Sequence, residues 1–190
     1  MTRVVLIGPP GGGKGTQATA LSAALGVPAI STGELFRAER DRGTPRGRML
    51  GEVMARGELV PDEVGDPMVM ERLSQPDAAR GWILDGYPRS PEQADALDAF
   101  LAGRGESIDH ALVLEVPRAE LLRRLTARAA RDEDRDPAVS GRRIDTYEAR
   151  SRPVIERWRA RGRPRVHPVE GVGAVEAVTA RLLAALDLAR

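Results

Sequence analysis

The chain has 190 residues, 42% of them hydrophobic, which is enough to bury one substantial core, so a single domain is predicted. It has no cysteine and only two histidines, far apart in sequence, so neither disulfides nor zinc are expected and any metal would be oxygen-bound, as Mg²⁺ is. A net charge of +1 gives no reason to expect nucleic-acid binding. Because no apolar run could span a membrane and no signal-peptide pattern opens the chain, the sequence predicts a cytoplasmic protein without a membrane partner.

The chain opens with a strand, a glycine-rich turn and a helix. Residues 4–7 form a continuous β-branched and aliphatic run, the pattern of a strand buried on both faces of a parallel sheet. The glycine-rich turn starts at Gly8. A helix is predicted over 16–25, because its apolar residues recur at helical spacing and Gly26 supplies a stop signal.

Residues 31–60 have the pattern of a small helical insertion. A second short strand is predicted over 28–30, and the S-x-x-E spacing from Ser31 to Glu34 predicts a capping box that begins a helix. The following residues, to about 60, are helical and charged, with breaks around Gly43 and at Gly57. A helical pattern then resumes and continues to about residue 73.

The rest of the chain alternates strands with helices. Further strands are predicted at 82–84, 111–116 and 165–169. Further helices are predicted at 91–101, 118–128, 142–161 and 175–188. The dense charges of residues 131–137 predict an exposed loop. This alternation predicts an α/β fold with a five-stranded parallel sheet and helices on both faces.

The first turn carries the first chemical signal. Its sequence, GPPGGGKGT over residues 8–16, matches G-x-x-x-x-G-K in the strand-to-helix context of a phosphate-binding loop. Backbone N–H groups of such a loop surround phosphate oxygens, and Lys14 would add a compact charge. Lys14 is the only lysine among 29 basic residues, which indicates a position where arginine does not serve. A glycine-rich turn that binds nothing is the alternative.

Two positions bear on magnesium. The motif's usual Ser/Thr position is occupied by Gly15, with Thr16 following, so a direct hydroxyl ligand is in doubt. Asp85, at the end of the predicted strand 82–84, is the expected magnesium group, acting through coordinated water. Capping of a helix is the alternative role for Asp85.

Four motifs in register resemble those of adenylate kinases. They are KGT in the phosphate loop, STGELFR over 31–37, GELVPD over 57–62, and LDGYPR over 84–89 followed by Gln93. The similarity extends to Arg124, Arg128, Arg143 and Tyr147. Because the motifs occur in order along nearly the whole chain, their combination is far more specific than any one of them. The resemblance implies the P-loop nucleoside-triphosphate-binding fold and reversible, Mg²⁺-dependent transfer of a phosphoryl group from ATP to AMP, giving two ADP, in adenine nucleotide homeostasis and salvage.

The resemblance also implies roles for individual residues. ATP would be held by Gly11, Gly12, Gly13, Lys14, Gly15 and Thr16, with Arg128 over the adenine and a backbone contact at Gly173. AMP would be held by Thr32, Arg37, Glu58, Leu59, Val60, Gly86, Tyr87, Pro88, Arg89, Gln93, Arg131 and Arg143. Catalysis would rest on Lys14, Asp85, Arg89, Arg124, Arg131 and Arg143, the last three arginines converging on the phosphates being exchanged. Arg135 competes with Arg131 for its role.

The implied organisation is a single kinase domain, 1–190. Its core segments would be 1–30, 61–127 and 139–190, with an NMP-binding insertion at 31–60 and a short lid at 128–138. Long-lid members of the family carry a β-rich segment there, sometimes with zinc held by cysteines, and both are missing from this sequence. The expected partners are ATP, AMP and ADP, with Mg²⁺ as cofactor and a monomer as the working form.

The composition agrees with this chemistry. Phosphoryl transfer between two anionic nucleotides needs positioning and charge neutralisation rather than a covalent nucleophile. Residues 118–165 carry 15 arginines against 8 acidic residues, which suits either a polyphosphate cleft or a solvated, ion-paired helix face. No general base is required, since the attacking phosphate oxygen of AMP is already ionised.

Two rival functions share the fold. Uridylate/cytidylate kinases resemble this chain in loop and lid, but they usually have alanine at the position of Thr32 and asparagine at that of Gln93, so both residues favour adenine, although Thr32 also suits a helix cap. A nucleotide-dependent switch is the second rival. The second nucleotide site implied by residues 32–93, with Lys14 and Arg89 retained, favours an enzyme over a switch.

Overall fold

A computed structural model describes residues 2–127 and 136–187, in which five strands form one parallel sheet. The strands are β1 (Thr2–Ile7), β2 (Ala29–Ser31), β3 (Gly81–Asp85), β4 (His110–Glu115) and β5 (Arg165–Glu170), arranged in the order β2-β3-β1-β4-β5. β1 is central and pairs with β3 on one side and β4 on the other. The predicted five-stranded parallel sheet is confirmed, and the carboxyl ends of its strands share the edge where such sheets bind ligands.

Helices cover both faces of the sheet. They are α1 (Lys14–Leu25), α2 (Thr32–Asp41), α3 (Pro45–Ala55), α4 (Asp62–Leu73), α5 (Pro91–Ala102), α6 (Arg118–Ala127), α7 (Pro137–Thr146), α8 (Arg152–Arg161) and α9 (Val175–Asp187). A π-helical turn, Tyr147–Ser151, joins α7 to α8. Within the described ranges, no helix has the length and apolar character needed to cross a bilayer.

The two cores follow from the alternation of side chains along β1. Val4 and Leu6 pack with α1 and α9 on one face, whereas Val5 and Ile7 pack with α4, α5 and α8 on the other. All four side chains are almost fully buried, and burial of each contributes about 1.5–3 kcal/mol. A strand covered on both faces has no polar side, which is why it was predicted from an unbroken apolar run.

The insertion, α2 with α3, has a small core of its own. Leu50, Val53 and Val60 are its buried residues, and Phe36 packs against them. The carboxylate of Glu39, only 4% exposed, accepts hydrogen bonds from Thr44 at 2.9 Å and from Arg46 at 3.0 Å, which ties the end of α2 to the start of α3. The two helices are therefore tied to each other at this end, while Leu35 of α2 packs against the main core cluster beside the sheet.

Three local predictions differ from the structure. α7 begins at Pro137 rather than at residue 142, because Asp136 caps it by accepting a hydrogen bond from the Ala138 N–H at 2.8 Å. The predicted capping box does not form, since Ser31 is the N-cap of α2 but its side chain makes no cap hydrogen bond within the described part of the chain. In the insertion, α3 ends at Ala55, so the helical prediction to residue 60 was too long. The other predicted ends that lie within the described ranges agree with the structure to within two residues.

The two histidines are neighbours in the fold. His110 of β4 and His167 of β5 lie on adjacent strands, with Nδ1 of the first 3.2 Å from Nε2 of the second. Two residues that are far apart in sequence are thus brought together by the pairing of β4 with β5. Burial lowers the pKa of both rings, and the neighbouring His167 lowers that of His110 further.

Candidate active site

The phosphate-binding loop connects β1 to α1 at the centre of the sheet edge. Gly13, the N-cap of α1, has a φ of +91°, a left-handed conformation that glycine adopts without strain. Lys14 follows as the first residue of the helix, and its Nζ donates to the carbonyls of Gly8 at 2.7 Å and Pro9 at 3.1 Å. The lysine is thus folded back over the loop, with its ammonium beside the helix N-terminus, where an anion is favoured.

Asp85 ends β3 directly beside this loop. It pairs in register with Leu6 of β1, and its side chain is buried. A Cβ placed on Gly15 would lie 3.9 Å from Asp85 Oδ2, so the carboxylate faces the first turn of α1. One carboxylate beside a phosphate loop fits Mg²⁺, which typically takes one or two protein carboxylates and completes its shell with water and phosphate oxygens.

A large cleft, the insertion pocket, opens between the loop and the insertion. Its walls include Lys14 and every described residue that was predicted to hold AMP: Thr32, Arg37, Glu58, Leu59, Val60, Gly86, Tyr87, Pro88, Arg89, Gln93 and Arg143. Residues contributed by α2, the β3–α5 connection and α7 therefore meet around one cavity.

Three arginines of the insertion pocket, Arg37, Arg89 and Arg143, lie close enough for their charges to interact. Arg89 is held by a 2.7 Å hydrogen bond from its Nε to the Gly86 carbonyl. Burial lowers the pKa of Arg89; Asp85 opposes that shift, and the charges of Arg143 and Arg37 add to it. The three arginines come from three separate elements, so the pocket concentrates positive charge where a phosphate group would be attracted.

Two uncharged side chains of the pocket, Gln93 and Thr32, are held in place by hydrogen bonds. Gln93 is 5% exposed, near the start of α5; its Oε1 accepts from the Arg89 N–H at 2.7 Å and its Nε2 donates to Asp62 Oδ1 at 2.8 Å. Thr32, 1% exposed, donates from its hydroxyl to the Asp85 carbonyl at 3.3 Å. A Cβ on Gly86 would come within 2.6 Å of that hydroxyl, so the approach of Thr32 requires glycine there.

A second cleft, the α6/α9 groove, lies on the other side of the phosphate loop. It is lined by Gly12, Gly13, Thr16, Gln17, Glu120, Arg123, Arg124, Gly171, Gly173, Val175 and Val178. Arg124 is fixed there, with its Nε donating to Glu120 at 2.7 Å and its Nη2 to the Gly171 carbonyl at 3.0 Å. Hydrogen bonds from Arg123 and Arg124 lower the pKa of Glu120 to about 2, so this carboxylate stays ionised.

The predicted site is therefore divided between two clefts. Arg124 lies with Gly173 in the α6/α9 groove, whereas Arg143, predicted to converge with it, lies in the insertion pocket with Arg89. The Nη1 of Arg124 is 3.8 Å from the position of a Cβ on Gly13, which places the guanidinium beside the phosphate loop. Three further predicted residues lie outside the described ranges: Arg128, Arg131 and the competing Arg135.

Sequence reasoning missed several residues of the two clefts. Glu120 precedes Arg124 by one helical turn, and this i, i+4 spacing of opposite charges was the available signal. Asp62 ends a motif that was recognised, yet only the fold shows that it contacts Gln93. Gln17 is buried and donates to the Val175 carbonyl at 3.1 Å, which joins α1 to the start of α9 beside the groove.

The magnesium site expected at Asp85 does not depend on a cluster of protein ligands. Among residues 2–127 and 136–187, no group of three or more acidic, histidine or cysteine side chains is arranged to hold a metal ion. The magnesium chemistry that Asp85 suits is of another kind, because phosphate oxygens of the substrate and water would supply most of the ligands.

Comparison with known proteins identifies close relatives. A family model described as adenylate kinase matches residues 6–163. The chain is 45% identical to an adenylate kinase of Nocardia farcinica and 47% identical to one of Mycolicibacterium smegmatis, each over 97% of this chain and 98% of the relative. It is 43% identical to an adenylate kinase of Kocuria rhizophila, over 98% of this chain and the whole of the relative.

Proposed function

Because the chain belongs to the adenylate kinase family, we propose that its two clefts hold the two nucleotides of that reaction, AMP in the insertion pocket and ATP in the α6/α9 groove. The protein is a phosphotransferase that moves a phosphoryl group reversibly from ATP to AMP, giving two ADP. Adenylate kinases use Mg²⁺ with ATP. The roles of individual residues, given below, are our proposal.

The position of the phosphate loop between the clefts supports this assignment most directly. Gly12, Gly13 and Thr16 line the α6/α9 groove, while Lys14, the residue between them, lines the insertion pocket. A triphosphate that entered along the groove and was held by the loop would present its terminal phosphoryl group at Lys14. An acceptor phosphate held by the three arginines of the insertion pocket would face it, which is the in-line arrangement that transfer requires.

In the insertion pocket, Arg37, Arg89 and Arg143 would hold the phosphate of AMP. The amide of Gln93 would receive the base, since it lines the same pocket and has both donor and acceptor capacity. Thr32 and the backbone of residues 58–60 would form the remaining walls. A pocket lined by both charged and uncharged polar side chains fits a nucleoside monophosphate, which has a dianionic head and an uncharged base.

On the donor side, the position of Arg124 in the α6/α9 groove with Gly173 favours a place beside ATP over the predicted convergence with Arg143 on the exchanged phosphates. Arg124 is held rigidly by Glu120 and by the Gly171 carbonyl, so its planar guanidinium is oriented before the ligand binds. The arginines of the lid, Arg128 and Arg131, stay predictions, as does the short lid at 128–138.

Catalysis would consist of charge stabilisation and exclusion of water. Lys14 and Arg89 would neutralise the charge that moves between the terminal phosphoryl group and the attacking oxygen of AMP. Asp85 would hold the hydration shell of Mg²⁺, and the bound ion would align and neutralise the phosphate oxygens of ATP. Closure of the insertion over both nucleotides would keep water from accepting the phosphoryl group.

A monomer in the cytoplasm, without zinc and without nucleic-acid or membrane partners, is part of the proposal. Both clefts are built from the residues of one chain, so no second copy is needed to complete them. The other features rest on composition alone.

The assignment of the insertion pocket is tested by substituting Arg37. Arg37→Ala should raise the KM for AMP by about tenfold or more, because a charge-assisted contact to phosphate is lost, and should leave the KM for ATP within about twofold. Arg40→Ala is the matched control on the same helix, where the arginine pairs with Asp41 and does not line the pocket. Equal effects of Arg37→Ala on both substrates would contradict the assignment. The same assay with UMP and CMP as acceptors tests the base preference.

A further inference from the structure

The amide of Gln93 is held at both ends by the protein. Its Oε1 accepts from the Arg89 N–H at 2.7 Å, and its Nε2 donates to Asp62 Oδ1 at 2.8 Å. A rotation of 180° would place Nε2 against an N–H donor and Oε1 against a carboxylate, and both contacts would be repulsive. The environment therefore permits one orientation of the amide and opposes the other.

The orientation decides which purine the amide can complement. Adenine presents a donor at N6 beside an acceptor at N1, whereas a 6-oxopurine presents an acceptor at O6 beside a donor at N1. An amide that shows one donor and one acceptor to the pocket can match either edge, depending on which way round it lies. Selectivity between these bases thus requires that the amide does not rotate.

From this network we propose that Asp62 is the positioning residue that fixes the amide of Gln93 and thereby sets the preference for a 6-aminopurine over a 6-oxopurine nucleotide. The inference rests on the proposed function, in which Gln93 faces the base of AMP. Asp62 acts through Gln93 and is not assigned any contact with the substrate.

The packing of α4 supports this role. Asp62 is the first residue of the helix, and Asp66 lies one turn further along the same face. Tyr87 Oη lies 2.9 Å from Asp66 Oδ1 and 3.2 Å from the Gln93 carbonyl, so the backbone of Gln93 is linked to the same helix as its side chain. The side chain of Gln93 therefore contacts α4 directly through Asp62, and its carbonyl lies beside the Tyr87 hydroxyl, which also neighbours Asp66 of the same helix.

A general effect of negative charge at the start of α4 is the competing explanation for any phenotype of Asp62. An acidic residue in a first turn interacts favourably with the helix dipole. Glu63 lies next to Asp62 in that turn but is exposed. Glu63→Gln therefore removes the same charge from the same turn without touching the amide, and it serves as the matched control.

The experiment measures kcat and KM for AMP, ATP and IMP in the full-length protein. Asp62→Ala should raise the KM for AMP about tenfold, leave kcat and the KM for ATP within about twofold, and lower the ratio of kcat/KM for AMP over IMP about tenfold. Asp62→Asn should lower that ratio by a smaller factor, about threefold, because its amide can still present an oxygen to Gln93. Glu63→Gln should match the parent.

A double-mutant cycle tests whether Asp62 acts on AMP selectivity through Gln93. In a Gln93→Ala background, Asp62→Ala should change the KM for AMP by less than about twofold, because the group through which it acts is gone. An undiminished effect there, or parental selectivity in both Asp62 variants, would overturn the proposal. If Gln93→Ala alone left the KM for AMP unchanged, the assignment of the pocket itself would fail. Should Asp62→Ala not fold, the cycle with Asp62→Asn, which keeps the size of the side chain, decides between the same outcomes.

Discussion

The single lysine of the chain gives the sharpest test of the phosphate loop. Lys14 Nζ lies 2.7 Å from the Gly8 carbonyl and 3.1 Å from the Pro9 carbonyl, so the ammonium fits between two consecutive backbone groups. Its stem passes close to Gly8, since the Cγ lies 3.6 Å from the position that a Cβ would take on that glycine. A guanidinium is planar and bulkier than an ammonium, and the loop would have to move to admit it.

The expected loss follows from the role of a preorganised charge. Removing one donor aimed at developing charge in an active site typically costs 10²–10³ in kcat, or about 2.7–4 kcal/mol. Lys14→Arg keeps the positive charge but misplaces it, so we expect kcat to fall by at least about 100-fold. Lys14→Met, which keeps the stem and removes the charge, should lose at least as much. The unfolding midpoint should change little, since the lysine is only partly buried.

The assay is ADP formation from saturating ATP and AMP, with thermal unfolding as the check on folding. Arg118→Lys is the matched control, because it makes the reverse exchange at an exposed ion pair with Asp145, 2.8 Å away and outside both clefts. That variant should keep parental turnover. Near-parental kcat in Lys14→Arg would refute both the role of the ammonium and the explanation of why one lysine remains among the arginines.

Three further predictions address the metal, pH and motion. Asp85→Asn should raise the Mg²⁺ concentration for half-maximal activity, and chelation of Mg²⁺ should abolish turnover in the parent; an unchanged Mg²⁺ titration in the variant would exclude Asp85. Because burial lowers the pKa of His110 and His167 in the folded state, their contribution to stability is present above the unfolded pKa of about 6.5 and is lost as the pH falls through the folded values. Urea midpoints should therefore drop from pH 7.5 to 5.5, and less so in His167→Gln; an equal drop would contradict this. A ligand that joins two adenosines through a polyphosphate should protect residues 31–60 and 128–140 from hydrogen exchange; protection of the phosphate loop alone would favour a preformed cleft.

Elements with one dominant local signal were predictable from the sequence. Strands β1 and β3 both contain unbroken apolar runs, residues 4–7 and 82–84, which are typical of strands covered on both faces of a sheet. The loop between β1 and α1 was predictable because its glycines and its lysine follow the strand directly. The four short motifs, matched in register, also selected residues that the fold brings together: every described residue assigned to AMP lines the insertion pocket.

Features that depend on register or rotamer were not predictable. His110 and His167 are 57 residues apart, and only the alignment of β4 with β5 brings their rings together. The contact between Asp62 and Gln93 depends on how α4 docks against α5, which no local pattern contains. At Asp136 and Pro137 the signal for a helix start was present, but the dense charge of the preceding residues favoured a loop.

Gly57 lies where the insertion contacts α7, the helix that carries Arg143. Gly57 has a φ of +73°, and a Cβ there would lie 2.9 Å from Val139 Cγ1 and 3.0 Å from Arg143 Cγ, so the insertion and α7 touch at a residue without a side chain. This contact lets Arg143 approach Arg37 and Arg89, although like charges repel and, after burial, add to the lowering of the pKa of Arg89. A phosphate group between the three arginines would turn that repulsion into attraction. In the proposed mechanism, the same contacts would therefore serve phosphate binding and closure of the insertion, and a larger residue at position 57 should weaken both together.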